Sequence, residues 1–174
     1  MAVGGLISPG QQSNITLNLD PGSYVMSCFI PSANGHSHRS QGMVRPITVT
    51  ERSPRETAPE EDVMITSSGH DITQEGKLGF GQQTVAFHVE KPPADSINPY
   101  SGMSLAQLTD PMDQQEDLRD FEPNPPSIPI LGGALAIPPG DTAYVSVKLT
   151  VPGPYSLVFT NMEDQPKLRE FVVK

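Results

Sequence analysis

The sequence predicts an all-β protein. Nineteen prolines and fifteen glycines are spread through 174 residues, many paired as Pro-Gly or Gly-Gly, and they punctuate short strands rather than helices. Between them stand runs of alternating apolar and polar residues, the period of a half-buried strand. A pattern near the start of the chain also returns near its end, the mark of an internal repeat.

Taken in order, Gly4-Gly5 and Pro9-Gly10 are turn signals, and Asn14-Ile-Thr-Leu-Asn-Leu19 alternates as a strand. Pro21-Gly22 turns the chain into Gly22-Ser-Tyr-Val-Met-Ser-Cys28. There Tyr24, Met26 and Cys28 share one face and Val25 and Ser27 the other. A loop then leads to the strand Val44-Arg-Pro-Ile-Thr-Val-Thr50. Residues 51 to 62 are charged and proline-bearing, with no apolar side chain larger than Ala, and read as a linker.

Strand pattern resumes at Val63-Met-Ile-Thr66, and a turn-rich approach, Lys77 to Gln83, leads to Thr84-Val-Ala-Phe-His-Val89. Residues 91 to 127 are proline-rich and acidic, and modest helical spacing at 104–108 and 113–121 leaves short helix and loop both open there. Then Gly132-Gly133, Pro139-Gly140, Val145-Ser-Val-Lys-Leu149 and Pro152-Gly153-Pro-Tyr155 through Phe159 repeat the opening pattern of Gly4-Gly5, Pro9-Gly10, Ile15 to Leu19 and Pro21-Gly22-Ser-Tyr24 through Cys28. The expected organisation is half a sandwich over residues 1–50, a linker over 51–62 and a complete sandwich over 63–174.

Charge and cysteine content narrow the function. The net charge is −9, which argues against nucleic-acid binding, since phosphate contacts need basic clusters. Residues 1–50 carry two arginines and one aspartate, whereas 63–174 carry seven basic and fourteen acidic residues. A single cysteine closes no internal disulfide. No apolar run reaches the roughly 18 residues that a membrane span needs, and Met1-Ala-Val-Gly-Gly lacks the basic start and apolar core of a signal peptide.

The densest chemistry lies between the two early strands. Cys28-Phe-Ile-Pro-Ser-Ala-Asn-Gly-His-Ser-His38-Arg-Ser-Gln-Gly-Met43 holds the one cysteine and two of the four histidines, with Met43 five residues past His38. A thiolate, an imidazole and a thioether on one loop suit copper better than magnesium or calcium, because sulfur donors prefer softer ions.

This arrangement resembles the cupredoxins, blue-copper β-sandwich proteins whose last loop carries a Cys, a His and an axial Met. The resemblance covers about the first fifty residues. It implies Cys28 as thiolate, His38 as nitrogen ligand and Met43 as weak axial ligand, with His36 a rival that breaks the His-to-Met spacing. The gap from Cys28 to His38 is closer to the long-loop, nitrite-reductase-like pattern than to plastocyanin-like proteins. Cys-Phe-Ile-Pro followed by Gly, His and Gly-Met is similar to a group of exported bacterial cupredoxin-like proteins, which implies a periplasmic, cell-surface or secreted setting.

The resemblance also implies a Greek-key sandwich, copper as cofactor, one-electron transfer and a redox partner protein. In the family the second histidine lies upstream of the cysteine, but no histidine occurs in the 27 residues before Cys28. The remaining nitrogen is left to His36, His70, His88 or another chain. An N-terminal half-sandwich also needs cover: from upstream chain, from the second domain, or by self-association. In the second copy Phe159 stands where Cys28 stands, and the following loop has neither His nor Gly-Met, so that copy is expected to bind no metal.

Enzymatic chemistry finds little support. A Cys–His nucleophilic pair usually needs a third, orienting group, and no Gly-x-Ser-x-Gly elbow or glycine-rich phosphate loop is present. The expectation is a non-catalytic protein, with a metal-free interaction module as the alternative to a copper protein.

Overall fold

The structure, a computed structural model, describes residues 4–51, 57–68, 71–91, 101–108, 128–161 and 167–174. Those residues are all-β apart from one 3-10 turn. They fall into two compact units: a larger one of residues 4–18 with the described residues from 58 onward, and a smaller one of residues 19–51 and 57.

The larger unit has two sheets. One orders β1 (Asn14–Thr16), β9 (Thr142–Leu149), β6 (Gly81–Val89), β4 (Val63–Ser67) and β5 (Ile72–Gly76). The other orders β11 (Lys167–Val173), β10 (Gly153–Asn161), β7 (Ser101–Gln107) and β8 (Ile130–Ile137). Every ladder is antiparallel except β4 with β6.

The alternation seen in the sequence now has its reason. Val85, Phe87 and Val89 of β6 and Val145, Val147 and Leu149 of β9 share one buried cluster with Met103 and Leu105 of β7 and Tyr155, Leu157 and Phe159 of β10. Two sheets with a common core make the layering of a β-sandwich. The rings of Phe87 and Phe159 stack across it with centroids 6.3 Å apart. Each fully buried large side chain contributes about 1.5–3 kcal/mol of transfer free energy.

The N-terminal segment closes one side of this sandwich. Leu135 donates its N–H to the Gly4 carbonyl, Ser8 donates its own to the Ile130 carbonyl at 2.8 Å, and Ile130 donates to Ser8 Oγ at 2.8 Å. The chain turns at Pro9-Gly10, with Gly10 at φ +81°, and Ile15 of β1 then pairs with Val145 of β9. One segment thus covers an edge of each sheet, and open edges are where strands pair unintentionally.

Several expectations change. Gly132-Gly133 lies inside β8, not at a turn. A Cβ at Gly132 would stand 2.7 Å from the Ser13 Cβ, and one at Gly133 2.9 Å from the Ser104 Cα, so the pair serves close approach. The strand β7 takes in 104–107, where spacing left a helix open, because Met103 and Leu105 answer to the core. The span 113–121 lies outside the described residues. The stretch 1–50 divides, with residues up to 18 joining the larger unit. Of the expected linker, residues 52–56 are not described, and Asp62, just before β4, is already tied to β6. Its N–H donates to the Thr84 carbonyl at 2.9 Å, and its carboxylate accepts from the Thr84 N–H at 2.8 Å. No described helix is long and apolar enough to cross a membrane.

Candidate metal centre

The smaller unit is built on a hairpin of β2 (Gly22–Ser27) and β3 (Val44–Val49), paired antiparallel from Gly22 with Val49 to Ser27 with Val44. The pairing continues one step, since Cys28 donates its N–H to the Met43 carbonyl at 3.2 Å. Hydrogen-bonded and non-hydrogen-bonded pairs alternate, so Pro46, opposite Val25, sits in a non-hydrogen-bonded pair. Its missing N–H falls on the outer side of β3, where an edge strand tolerates proline.

The long loop folds back through its backbone. Arg39 donates its N–H to the Cys28 carbonyl at 2.8 Å, His38 to the Ile30 carbonyl at 2.9 Å, and Met43 to the His38 carbonyl at 3.0 Å. A 3-10 turn spans His38–Gln41, with Ser37 Oγ accepting from the Ser40 N–H at 3.3 Å. Gly42 ends it at φ +98° and donates to the Arg39 carbonyl at 3.1 Å. That left-handed conformation suits glycine and accounts for the Gly-Met pair. At the far end, the His36 N–H donates to Asn34 Oδ1 at 3.1 Å and the Ser32 N–H donates to the His36 carbonyl at 2.8 Å.

The chain therefore brings together part of the expected ligand set. Cys28 Sγ lies 3.6 Å from His38 Nδ1, with both residues half-buried. Met43 stands directly across from Cys28, and cross-strand partners share a face, although its side chain is 58% exposed. His36 is held in the distal turn with its side chain exposed. His88 lies on β6 in the larger unit, where Nδ1 is 2.9 Å from Thr142 Oγ1, and His70 lies outside the described residues. Among the described residues no group of three His, Cys, Asp or Glu side chains forms.

Some contributors were not singled out from sequence. Ser37 and Gly42 fix the turn that carries His38, and their signal was a serine three residues before Ser40 with a glycine closing the turn. Arg39 places its guanidinium 5.4 Å from the Phe29 ring centroid, a cation–π contact at the mouth of the loop.

The repeat is visible in three dimensions. Tyr24 donates its hydroxyl to the Asp20 carbonyl at 2.7 Å, and Tyr155 donates to the Val151 carbonyl at 2.6 Å. Gly22, Tyr24 and Met26 pair with Val49, Ile47 and Arg45, just as Gly153, Tyr155 and Leu157 pair with Val173, Phe171 and Arg169. Cys28 takes the place of Phe159, which is buried in the core of the larger unit. The thiol thus sits at the end of what is, in the sister hairpin, a core-facing strand.

No protein-family model, no curated protein and no solved structure matches this chain.

Proposed function

We propose that this chain binds copper through Cys28 and His38, with Met43 as a weak third donor, as a cupredoxin-like Greek-key protein that carries single electrons. The observation that supports this reading is the 3.6 Å approach of Cys28 Sγ to His38 Nδ1, across a loop tied at both residues by its own backbone. Thiolate, imidazole and thioether fit a soft ion, and bound copper supplies a one-electron couple. The described donors are one imidazole short of a blue-copper set, so the second nitrogen comes from elsewhere, with His36 of the same unit or a partner chain as the candidates. Cys28 must lose its proton and His38 must be neutral at the ligating nitrogen, so uptake weakens as pH falls. The turn capped by Ser37 and closed by Gly42 keeps the imidazole directed at the sulfur.

A copper titration of the purified chain, followed by visible absorption, tests this. Saturation at one equivalent with a sulfur-to-copper band that Cys28→Ser abolishes is the expected result. Absence of stoichiometric binding, or binding indifferent to Cys28→Ser and His38→Ala, refutes it. A metal-free interaction module is then the reading that stands, and it is favoured by a separate observation: the hairpin exposes Met26, Met43 and Ile47 on the face of Cys28.

A further inference from the structure

We infer that the larger unit binds a uronic acid, a sugar bearing one carboxylate, in a polar cleft between the N-terminal segment and the end of β9. The inference goes beyond copper binding and does not depend on it. The cleft has a volume of about 330 Å³, within the range of small-molecule sites. It exists because β1 pairs with β9 only from Asn14 with Ser146 to Thr16 with Tyr144. Before Asn14 the segment is seated on β8 instead, with Ser13 against Gly132, where a Cβ would stand 2.7 Å from the Ser13 Cβ. The gap left beside β9 reaches down to Leu131 of β8. Both walls are built into the fold. Gln11 donates its N–H to the Ser8 carbonyl at 3.1 Å, and Ser146 Oγ lies 3.0 Å from Thr84 Oγ1.

The side chains in the cleft select the ligand. Gln11, Gln12, Asn14 and Gln82 bring four carboxamides, each able to donate and to accept. None of the four side chains bonds to another described residue, whereas the side-chain amides of Asn34, Gln41, Gln74 and Gln83 all bond within the protein. Ser146 and Thr150 add hydroxyls. Groups that both donate and accept complement the hydroxyls of a sugar, which do the same. Leu131 offers the one apolar patch, against which a ring lays its C–H face. Charge fixes the class of sugar. The chain has twenty acidic and eleven basic residues, yet the cleft is lined by Lys148 and no carboxylate. Lys148 is cross-strand partner to Gln82, so amine and carboxamide share a face, and no described carboxylate pairs with that amine. A nucleotide is a poorer fit, because no aromatic ring lines the cleft to stack a base.

Amide NMR of the full chain titrated with methyl glucuronide tests this, with methyl glucoside as the uncharged counterpart and inorganic phosphate as the bare anion. Saturable shifts of the side-chain amides of Gln11, Gln12, Asn14 and Gln82 are expected. The glucoside should bind about two- to fivefold more weakly, the worth of one exposed ion pair. Lys148→Met should weaken the glucuronide by that same factor and leave the glucoside unchanged, and Gln82→Ala should weaken both sugars. Lys167→Met, at an exposed cation on β11 of the other sheet, should change neither. The wild-type comparison of the two sugars needs no variant, so it stands even where a substitution disturbs folding. Absence of saturable shifts at the cleft, equal wild-type affinity for the two sugars, or phosphate binding as tightly as the glucuronide overturns the inference. Chelator is present throughout, so the result is independent of the copper titration.

Discussion

Gly4 and Gly5 look alike in sequence, yet the structure predicts opposite outcomes for their replacement by alanine. Around Gly4 a new Cβ meets nothing within 4 Å, while at Gly5 it would strike the Gly133 carbonyl oxygen and lie 2.7 Å from its carbon. Both obstacles are backbone, so no side chain can swing away. The chain has two escapes. It can absorb the overpacking by local shifts, at about 1–3 kcal/mol. Or the N-terminal segment can leave β8, losing its bonds to Leu135 and the two to Ile130, at about 1 kcal/mol each. The cheaper route sets the cost, so Gly5→Ala should destabilise by about 1–3 kcal/mol. Gly4→Ala should stay within about 0.5 kcal/mol. For a unit of this size that separates the two variants by about 2–12 °C in thermal unfolding. Amide exchange at Thr16, which pairs with Tyr144 of β9, distinguishes the escapes, since release of the segment also frees β1. Equal stability of Gly5→Ala and wild type would show that the segment is not seated on β8, and the account of how this side of the sandwich is closed would fail.

Two further outcomes follow from the core. Leu157 is fully buried, so Leu157→Ala should cost about 2–5 kcal/mol in urea unfolding, and a loss below about 1 kcal/mol would mean that the sheets are not packed as described. Burial holds the Tyr155 phenol above its ordinary value of 10.0. The folded state keeps this proton longer than the unfolded chain does, so its contribution is whole below about pH 10 and is lost as pH rises through the folded value. Wild type should lose stability faster than Tyr155→Phe above about pH 10, and parallel slopes would refute the assignment.

The fold class was legible because alternation and Pro-Gly punctuation are local signals, and β4, β6, β9 and β10 follow them. The strands that escaped notice did so for physical reasons. Ile130–Ile137 carries Gly132 for the sake of Ser13, more than 100 residues away, and Gly133 for the sake of Ser104 on the neighbouring strand, and close approaches of that kind leave no periodic trace. Lys167–Val173 is an edge strand with mostly exposed side chains, so its burial pattern is too thin to stand out. Residues 104–107 have helical spacing, but Met103 and Leu105 are held by the core, and tertiary packing outweighs local preference. At the candidate site, the spacing of Cys28, His38 and Met43 marked the loop. The backbone bonds that place His38 beside the sulfur depend on Gly42 at positive φ, which sequence signals only as a glycine.

The two hairpins share a register, a tyrosine bonded four residues back and an arginine at matching places, yet they meet different ends. In one, Phe159 completes a core. In the other, the same position is a cysteine at the margin of an apolar face, roofed by a loop that carries His38. Cys28 and Met43 share a face with Met26 and Ile47. A partner copy that supplies the absent imidazole would make copper affinity rise with protein concentration, and by linkage copper would favour association by the same factor. A copper affinity indifferent to protein concentration instead assigns the missing donor to the same chain.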